Sequence, residues 1–293
     1  MSSRASWRGD HAGMSRMRRF FASGVLAAVC LCLPLQADVL PQDPQANLET
    51  SRLNAEYLKN FGRDFGAVVA SPGHWDGTDW AKFAALAGTT AAVFAFDQSL
   101  YDAVQRNRTE FSEGASPYVS KCGNGAYLAG FMAAMYLSGE AFDSPGLRTT
   151  ALQSLESFLT ASAVVLGLKF VVGRARPYAH ESTGSFHPFS ISTRHVSFPS
   201  ADAAGAFAVA TAIAERSEAV VVDVLAYSLA GLVAFYRVHD RKHWPSDVLA
   251  GSALGFFVAR KVARLNRDRS SSRLHVSFQW GRERQAVTLA LSF

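Results

Sequence analysis

The sequence predicts an all-α bundle of about six helices, followed by a small β-hairpin at the C-terminus. Apolar stretches of helical length recur along the chain, and residues typical of helix starts and ends separate them. The C-terminal residues change to an alternating apolar and polar pattern. Hydrophobic residues make up 49% of the 293 residues, so the chain can bury a sizeable core.

The N-terminal residues 1–37 are predicted to be a signal peptide. Three arginines precede an apolar stretch, 20–33, and the small residue Ala37 stands at a plausible cleavage position. An uncleaved membrane anchor is the alternative, although the stretch is short for a complete span. Cleavage would leave Cys122 as the only cysteine, so no intrachain disulfide is expected.

The helical domain is predicted to cover residues 79–266. Residues 38–78 before it are polar and irregular and are predicted to be a lead-in, with one short amphipathic helix around Leu53 to Phe65. Glycine, proline or a capping hydroxyl stands at the boundaries of the helices in the domain. The predicted helices cover roughly 79–104, 125–142, 146–173, 201–216, 218–236 and 245–265.

The apolar helices fit either a soluble core or a membrane. Most uninterrupted apolar runs are shorter than the ~20 residues that a bilayer span needs. Segments such as 203–214 and 248–259, however, are apolar nearly all round, as buried and membrane helices are. The balance favours membrane association and leaves the soluble alternative open.

The C-terminal segment 273–293 is predicted to form the β-hairpin. Apolar residues alternate with polar ones from Leu274 to Trp280 and again from Val287 to Phe293, with a turn between them. The pattern favours a hairpin whose apolar face packs on the helices. An outer-membrane barrel has a similar signal, but two strands cannot close a barrel.

Charge and composition narrow the classes of partner. The net charge of +5 favours anionic surfaces or substrates only weakly, because many basic residues lie at the two ends. No basic run with interleaved aromatic residues appears, so nucleic acid is not an expected partner. No set of Cys, His or carboxylate residues has a convincing metal-ligand spacing, so neither a metal nor another cofactor is expected.

Two clusters suit the binding of an anion. Lys169 and Arg176 are seven residues apart, and together they provide a compact charge and a planar fork for phosphate oxygens. Ser200 fits the N-cap of an apolar helix, and the free amides near Ala201 and Asp202 would point at an anion. Each cluster alone also fits a plainer interpretation, as cations at a helix C-terminus and as ordinary capping.

A third cluster adds a candidate nucleophile. His243 stands just before a helix that Pro245 opens, and Asp247 follows four residues later. A carboxylate there can accept the N–H of one imidazole nitrogen and leave the other nitrogen as a nucleophile. Arg237 contributes a third cation. The alternative is a histidine and an aspartate that only stabilise a helix start.

Together the three clusters provide the groups that can displace a phosphoryl group without a metal, because cations and fixed amides stabilise the equatorial charge of the transition state. The order Lys-x6-Arg-Pro, Pro-Ser and Arg-x5-His-x3-Asp resembles the type 2 phosphatidic acid phosphatase (PAP2) superfamily, which includes class A acid phosphatases, lipid phosphatases and vanadium haloperoxidases. The resemblance implies a PAP2-type helical bundle and a phosphate site formed by Lys169, Arg176, Ser200, Ala201 and Arg237.

The same resemblance implies that His243 forms a phosphohistidine and that Asp247 orients it. Two positions depart from the pattern. Tyr236 stands where the family usually has serine, and Asp202 replaces the histidine that acts as general acid. Asp202 could supply the proton itself, or the substrate could be a diphosphate whose leaving group needs no strong acid.

The predicted function is a metal-independent phosphatase that hydrolyses a phosphate ester or a diphosphate, with a lipid-linked substrate favoured, through a phosphohistidine. Two alternatives are left open. One is a catalytically weak or inactive PAP2-like phosphate-binding protein, and the less favoured one is a vanadium haloperoxidase. The protein is expected to be exported, in the periplasm or the inner membrane, with its site facing the periplasm. A lipid-linked phosphate fits helices that enter the membrane, and a small soluble phosphomonoester fits helices that do not.

Three loop histidines, His180, His187 and His195, are interpreted as ordinary surface residues, with His195 best placed to replace the missing acid.

Overall fold

The structure is a computed structural model that describes residues 52–271, 275–280 and 285–290. In this part of the chain nine α-helices form a bundle, which confirms the predicted all-α class. The helices are α1 (Ala55–Val69), α2 (Gly77–Ala95), α3 (Asp97–Arg106), α4 (Glu110–Cys122), α5 (Gly125–Ala141), α6 (Pro145–Val172), α7 (Ala201–Ala214), α8 (Val220–His239) and α9 (Pro245–Ser271).

Short 3-10 helices lie at Ser71–His74, Pro177–Ala179 and Thr193–His195. Strands β1 (His275–Trp280) and β2 (Gln285–Ala290) pair antiparallel, with His275 opposite Ala290. The packing of an apolar hairpin face on the helices stays a prediction, as do the domain boundaries. The predicted signal peptide lies outside the described residues.

Two features of the bundle differ from the sequence prediction. The single helix expected over 79–104 is two helices, α2 and α3, which meet at Phe96. Helix α4 was not predicted, because Pro117 lies inside it and its pattern is weak. A capping box formed by Thr109 and Ser112 begins α4 and supplies the start signal that the apolar pattern lacks.

Helix α7 is the centre of the bundle and packs against α6, α8 and α9. Its alanine-rich sequence leaves most of the helix fully buried and allows close approach of its neighbours. Helix α9 meets it through two glycines. A Cβ atom on Gly255 would lie 2.1 Å from the carbonyl oxygen of Ala204, and one on Gly251 would lie 2.3 Å from that of Ser200. Any larger residue would therefore push α9 away from the start of α7.

Two helices of the described chain, α6 and α8, are long and apolar enough to cross a membrane. Only 33% of the most apolar window of α6 and 28% of that of α8 are buried inside the bundle. The remaining surface of α8 exposes large apolar side chains, namely Val220, Val221, Val224, Leu225, Leu229, Leu232 and Phe235. Apolar surface of this extent is typical of a binding face or a lipid contact.

Candidate active site

Three segments that are distant in the sequence meet at one end of the bundle. They are the loop from α6 to α7, the turn from α8 to α9, and the N-terminus of α7. Gly173 ends α6 with a left-handed backbone conformation, at φ 61°. A Cβ atom at this glycine would lie 1.8 Å from the carbonyl oxygen of His187, so only glycine lets the loop fold back there.

The imidazole of His243 is buried at this meeting point, with 2% of the residue exposed. Its Nδ1 lies 2.8 Å from the carbonyl oxygen of Ser197. Because a carbonyl oxygen only accepts hydrogen bonds, Nδ1 must carry the proton and Nε2 keeps the lone pair of the neutral ring. This contact leaves Nε2 as the nitrogen that can act as a nucleophile.

Positive charge surrounds the same imidazole. Burial lowers the pKa of His243 well below its usual value, and the charges of Lys169, Arg176 and Arg237 lower it further. The structure therefore brings the predicted histidine within electrostatic range of all three predicted cations. A neutral imidazole beside three cations combines a nucleophile with groups that attract phosphate.

Asp247 does not orient His243 by the direct hydrogen bond that the sequence suggested. Its Oδ2 lies 3.9 Å from Nδ1 of His243, beyond hydrogen-bond distance. That oxygen instead accepts the Oγ–H of Ser197 at 2.5 Å and the backbone N–H of Trp244 at 2.8 Å. The reason is local, because an acidic residue in the first turn of a helix caps the backbone N–H just before it.

Asp247 thus fixes, by hydrogen bonds, two groups that adjoin the imidazole of His243. It fixes the side chain of Ser197, whose carbonyl group accepts the His243 proton, and the backbone next to His243. Burial raises the pKa of Asp247, and the contacts with Arg174 and Ser197 oppose that rise. Its position in the structure is that of a residue acting on His243 through Ser197.

The two cations of the first cluster come from different backbone elements. Lys169 lies in the last turn of α6, and its Nζ donates to the carbonyl groups of Val196 and Ser197. The helix ends at Val172, so Arg176 belongs to the loop and not to a continuing helical face. Its backbone N–H is bound to the carbonyl oxygen of Arg194 at 2.8 Å. The buried Nε of Arg176 has no hydrogen-bond partner among the described residues.

The N-terminus of α7 supplies the predicted anion-facing backbone. Ser200 is fully buried and is the N-cap, with its Oγ accepting the N–H of Ala203 at 3.3 Å. Its own N–H donates to the carbonyl oxygen of Asp247 at 2.9 Å, which joins the starts of α7 and α9. Within the described residues no hydrogen bond occupies the amides of Ala201 and Asp202, and a helix start attracts anions through such groups.

Asp202 faces the same site and forms an ion pair with Arg237. The guanidinium Nη1 of Arg237 donates to Oδ2 of Asp202, and its Nη2 lies 3.4 Å from Oδ2 of Asp240. Arg237 is 3% exposed, and its Nε is buried without a hydrogen-bond partner in the described chain. The arginine that was predicted to bind phosphate is thus paired with Asp202, the residue for which a role as proton donor was considered.

A buried network behind the site was missed by sequence reasoning. Arg174 donates to Asp247 at 2.6 Å and to Asp97 at 2.7 Å, and Asp97 accepts the backbone N–H of Ser246 at 2.8 Å. All four residues are at most 1% exposed. The signal was present in the sequence as a lone aspartate in an apolar segment, since buried charges require partners.

Replacing Asp97 with alanine is expected to cost about 3–5 kcal/mol in the free energy of unfolding, because it leaves the buried guanidinium of Arg174 without one of its two carboxylate partners. Thermal unfolding of the purified protein measures the change. Asp79→Ala is the control, because Asp79 is part of an exposed pair with Lys82 and should alter stability by no more than about 0.5 kcal/mol. Equal stability of the two variants would contradict a structural role for the network.

The chain is similar to one family of proteins in its sequence and to two solved structures in its fold. Residues 150–271 match the sequence model of the PAP2 superfamily. None of the curated proteins matches the chain. The crystal structure of Aquifex aeolicus LpxE is similar with a TM-score of 0.48 and 18% identity, covering 58% of this chain and 95% of that one. The first transmembrane PAP2 type phosphatidylglycerolphosphate phosphatase from Bacillus subtilis is similar with a TM-score of 0.48 and 20% identity, covering 64% and 94%.

Proposed function

We propose that the protein is a metal-independent phosphatase acting on a lipid-linked phosphate ester or diphosphate. The match of residues 150–271 to the sequence model of the PAP2 superfamily supports this proposal. The observation that carries the proposal is the position of His243. Its protonated Nδ1 is bound to Ser197, and its other nitrogen is left as a nucleophile in range of three cations. The superfamily assignment supports the coarser class of phosphoric ester hydrolases.

The proposed first step is attack of Nε2 of His243 on phosphorus. The N–P bond forms as the bond from phosphorus to the leaving oxygen breaks, and Lys169, Arg176 and Arg237 stabilise the equatorial oxygens. The amides of Ala201 and Asp202 would bind one of those oxygens. Water then attacks the phosphohistidine, releases phosphate and returns the imidazole to its neutral form.

The ion pair between Asp202 and Arg237 favours a substrate with a good leaving group. A carboxylate paired with a guanidinium carries no proton that it could give to an alkoxide. A diphosphate releases phosphate, which leaves without protonation. We therefore infer that a diphosphate is turned over faster than the corresponding monoester.

An apolar groove beside the site fits the hydrocarbon part of such a substrate. Its volume is about 490 Å³. It is lined by Phe207, Pro245, Val248, Leu249, Ser252, Ala253, Phe256 and Phe257. Pro245, which lines the groove, is two residues from His243 in the sequence, and we propose that the hydrocarbon part of the substrate lies there. Together with the apolar faces of α6 and α8, this groove supports a membrane-associated enzyme, and we propose that it is exported with the site facing the periplasm.

A second candidate function rests on the same ion pair. An ionised Asp202 competes with phosphate for Arg237, and its charge opposes a dianion at the helix start. The alternative is a PAP2-like protein that binds phosphate with little or no turnover. A vanadium haloperoxidase is less favoured, because that chemistry also depends on the histidine that Asp202 replaces.

The test is phosphate release by the full chain in detergent, with a prenyl diphosphate, its monophosphate and phosphatidate as substrates and with a chelator present. We expect turnover in the chelator, with the diphosphate as the fastest substrate. Phosphate binding without release from any of the three would favour the alternative. Equal rates on diphosphate and monophosphate would contradict the argument about the leaving group.

A further inference from the structure

A cluster of metal-ligating side chains lies outside the phosphate site, on the loop between α6 and α7. Glu181, His187 and His195 each offer one ligand atom, and these atoms lie within 4.8 Å of one another. Nε2 of His187 is 2.7 Å from Oε2 of Glu181, and Nε2 of His195 is 3.2 Å from Oε1. Sequence spacing gave no sign of this set, because the loop folds back on itself.

The imidazoles of His187 and His195 are stacked, and the Nε2 atom of each ring faces the carboxylate of Glu181. Their ring centroids are 3.8 Å apart with an angle of 19° between the planes. The stacked rings therefore present two ring nitrogens to the same carboxylate. Each carboxylate oxygen of Glu181 faces one of the two rings, which places three ligand atoms around one point.

The backbone holds both parts of the loop in place without help from the cluster. The N–H of His187 donates to the carbonyl oxygen of Gly173 at 2.8 Å, and the residue before it, Phe186, pairs with Arg174 in a β-bridge. On the other side, the carbonyl oxygen of Arg194 accepts the N–H of Arg176 at 2.8 Å. The segment 173–176 therefore brings the two histidines side by side.

The outer contacts also suit a ligand set. Nδ1 of His195 lies 3.1 Å from Oγ of Ser190, and a proton on Nδ1 would leave the lone pair on Nε2, the atom that faces Glu181. Histidine ligands of metals commonly donate their second ring N–H in this way. Side-chain exposures of 32%, 43% and 20% for Glu181, His187 and His195 leave the ligand atoms open to an ion from solvent.

We propose that Glu181, His187 and His195 bind a divalent transition metal ion, with zinc as the best match. Two imidazoles and one carboxylate form a set that suits zinc, and water would take the fourth position of a tetrahedral site. On binding, each neutral ring would carry its single proton on Nδ1, so that the lone pair of Nε2 binds the metal and the contact with Glu181 is replaced by metal coordination.

The site acts on the loop and takes no part in phosphoryl transfer. His195 lies two residues before Ser197, whose carbonyl group holds His243, and next to Arg194, which holds the backbone of Arg176. A metal would therefore tie together the two parts of the loop on which the phosphate site depends. This inference is independent of the proposed function, and its test does not use enzyme activity.

The experiment is equilibrium dialysis of the full chain, stripped with chelator, against zinc, followed by metal analysis. We expect the wild-type protein to hold one zinc more per chain than His187→Gln or His195→Gln, with zinc affinity in each variant lowered at least about 100-fold. His180→Gln is the matched control, because His180 lies in the same loop but outside the cluster, and it should bind as the wild type does. The comparison between variants also cancels any zinc held by cysteines.

Two further measurements keep the outcome decisive. Zinc affinity should fall as the pH is lowered, because protons compete with zinc for the ligand nitrogens. If a variant does not fold, the comparison is made on the wild-type protein by acylating its histidines with diethyl pyrocarbonate. Zinc should then protect His187 and His195 from acylation but not His180. Equal zinc content in the wild type and both cluster variants, or equal acylation with and without zinc, would overturn the proposal.

Discussion

Replacing Asp202 with histidine is expected to raise the rate of phosphate release from an alkyl phosphate about 10²- to 10⁴-fold, the usual contribution of a general acid. The present carboxylate is paired with Arg237, and a histidine at the same place could deliver a proton to the leaving oxygen. The substitution also releases Arg237 for phosphate. The kcat for a monoester at several pH values measures the effect.

The matched control is Asp202→Asn, which releases Arg237 without adding a proton donor. This variant should bind phosphate more tightly and show a lower KM, while its kcat on the monoester stays low. On a diphosphate, Asp202→His should change kcat far less than on the monoester. A folded Asp202→His protein with no gain on the monoester would mean that proton delivery does not limit the enzyme.

Removing the imidazole of His243 is expected to lower the rate about 10⁴-fold or more, because the attacking atom itself is lost. Rapid quenching with a labelled substrate should trap a phosphoenzyme in the wild-type protein and none in His243→Ala. The phosphoryl group should be lost in acid and kept in alkali, as expected of a phosphohistidine. The control His74→Ala changes an exposed histidine at the end of a 3-10 helix and should keep full activity.

The pH dependence follows from the lowered pKa of His243. The ring attacks only when neutral, and its pKa lies well below the usual 6.5, so the reactive form persists as the pH falls through that value. The rate should therefore not decline near pH 6.5 through protonation of the nucleophile. A phosphoenzyme that still forms in His243→Ala, or a rate that falls with a pKa of 6.5, would contradict the assigned role.

The sequence predicted the helical bundle and five of its six expected helices closely, because long apolar stretches with clear boundaries allow few alternatives. It could not predict the division at Phe96. That division depends on Asp97, which begins α3 and contacts Arg174 and Ser246 from distant parts of the chain. Local pattern carries no information about such partners.

The candidate site was predicted in its residue types more fully than in its contacts. The residue types around His243 indicated a nucleophile and an orienting carboxylate. The spacing could not reveal that Asp247 accepts hydrogen bonds from Trp244 and Ser197. The pairing of Asp202 with Arg237 was equally hidden, because 35 residues separate the two in sequence. Contacts between distant residues are set by packing, which a linear pattern does not contain.

The hydrogen bond between Asp97 and Ser246 joins residues that are 149 positions apart. Closing so long a segment has an entropic cost that only extensive packing between the enclosed helices can offset. The parts around His243 therefore come together only after most of the bundle has formed. Partly folded chains should consequently have no activity at all. A newly made molecule would become active only in a late folding step, after the helices on both sides have docked.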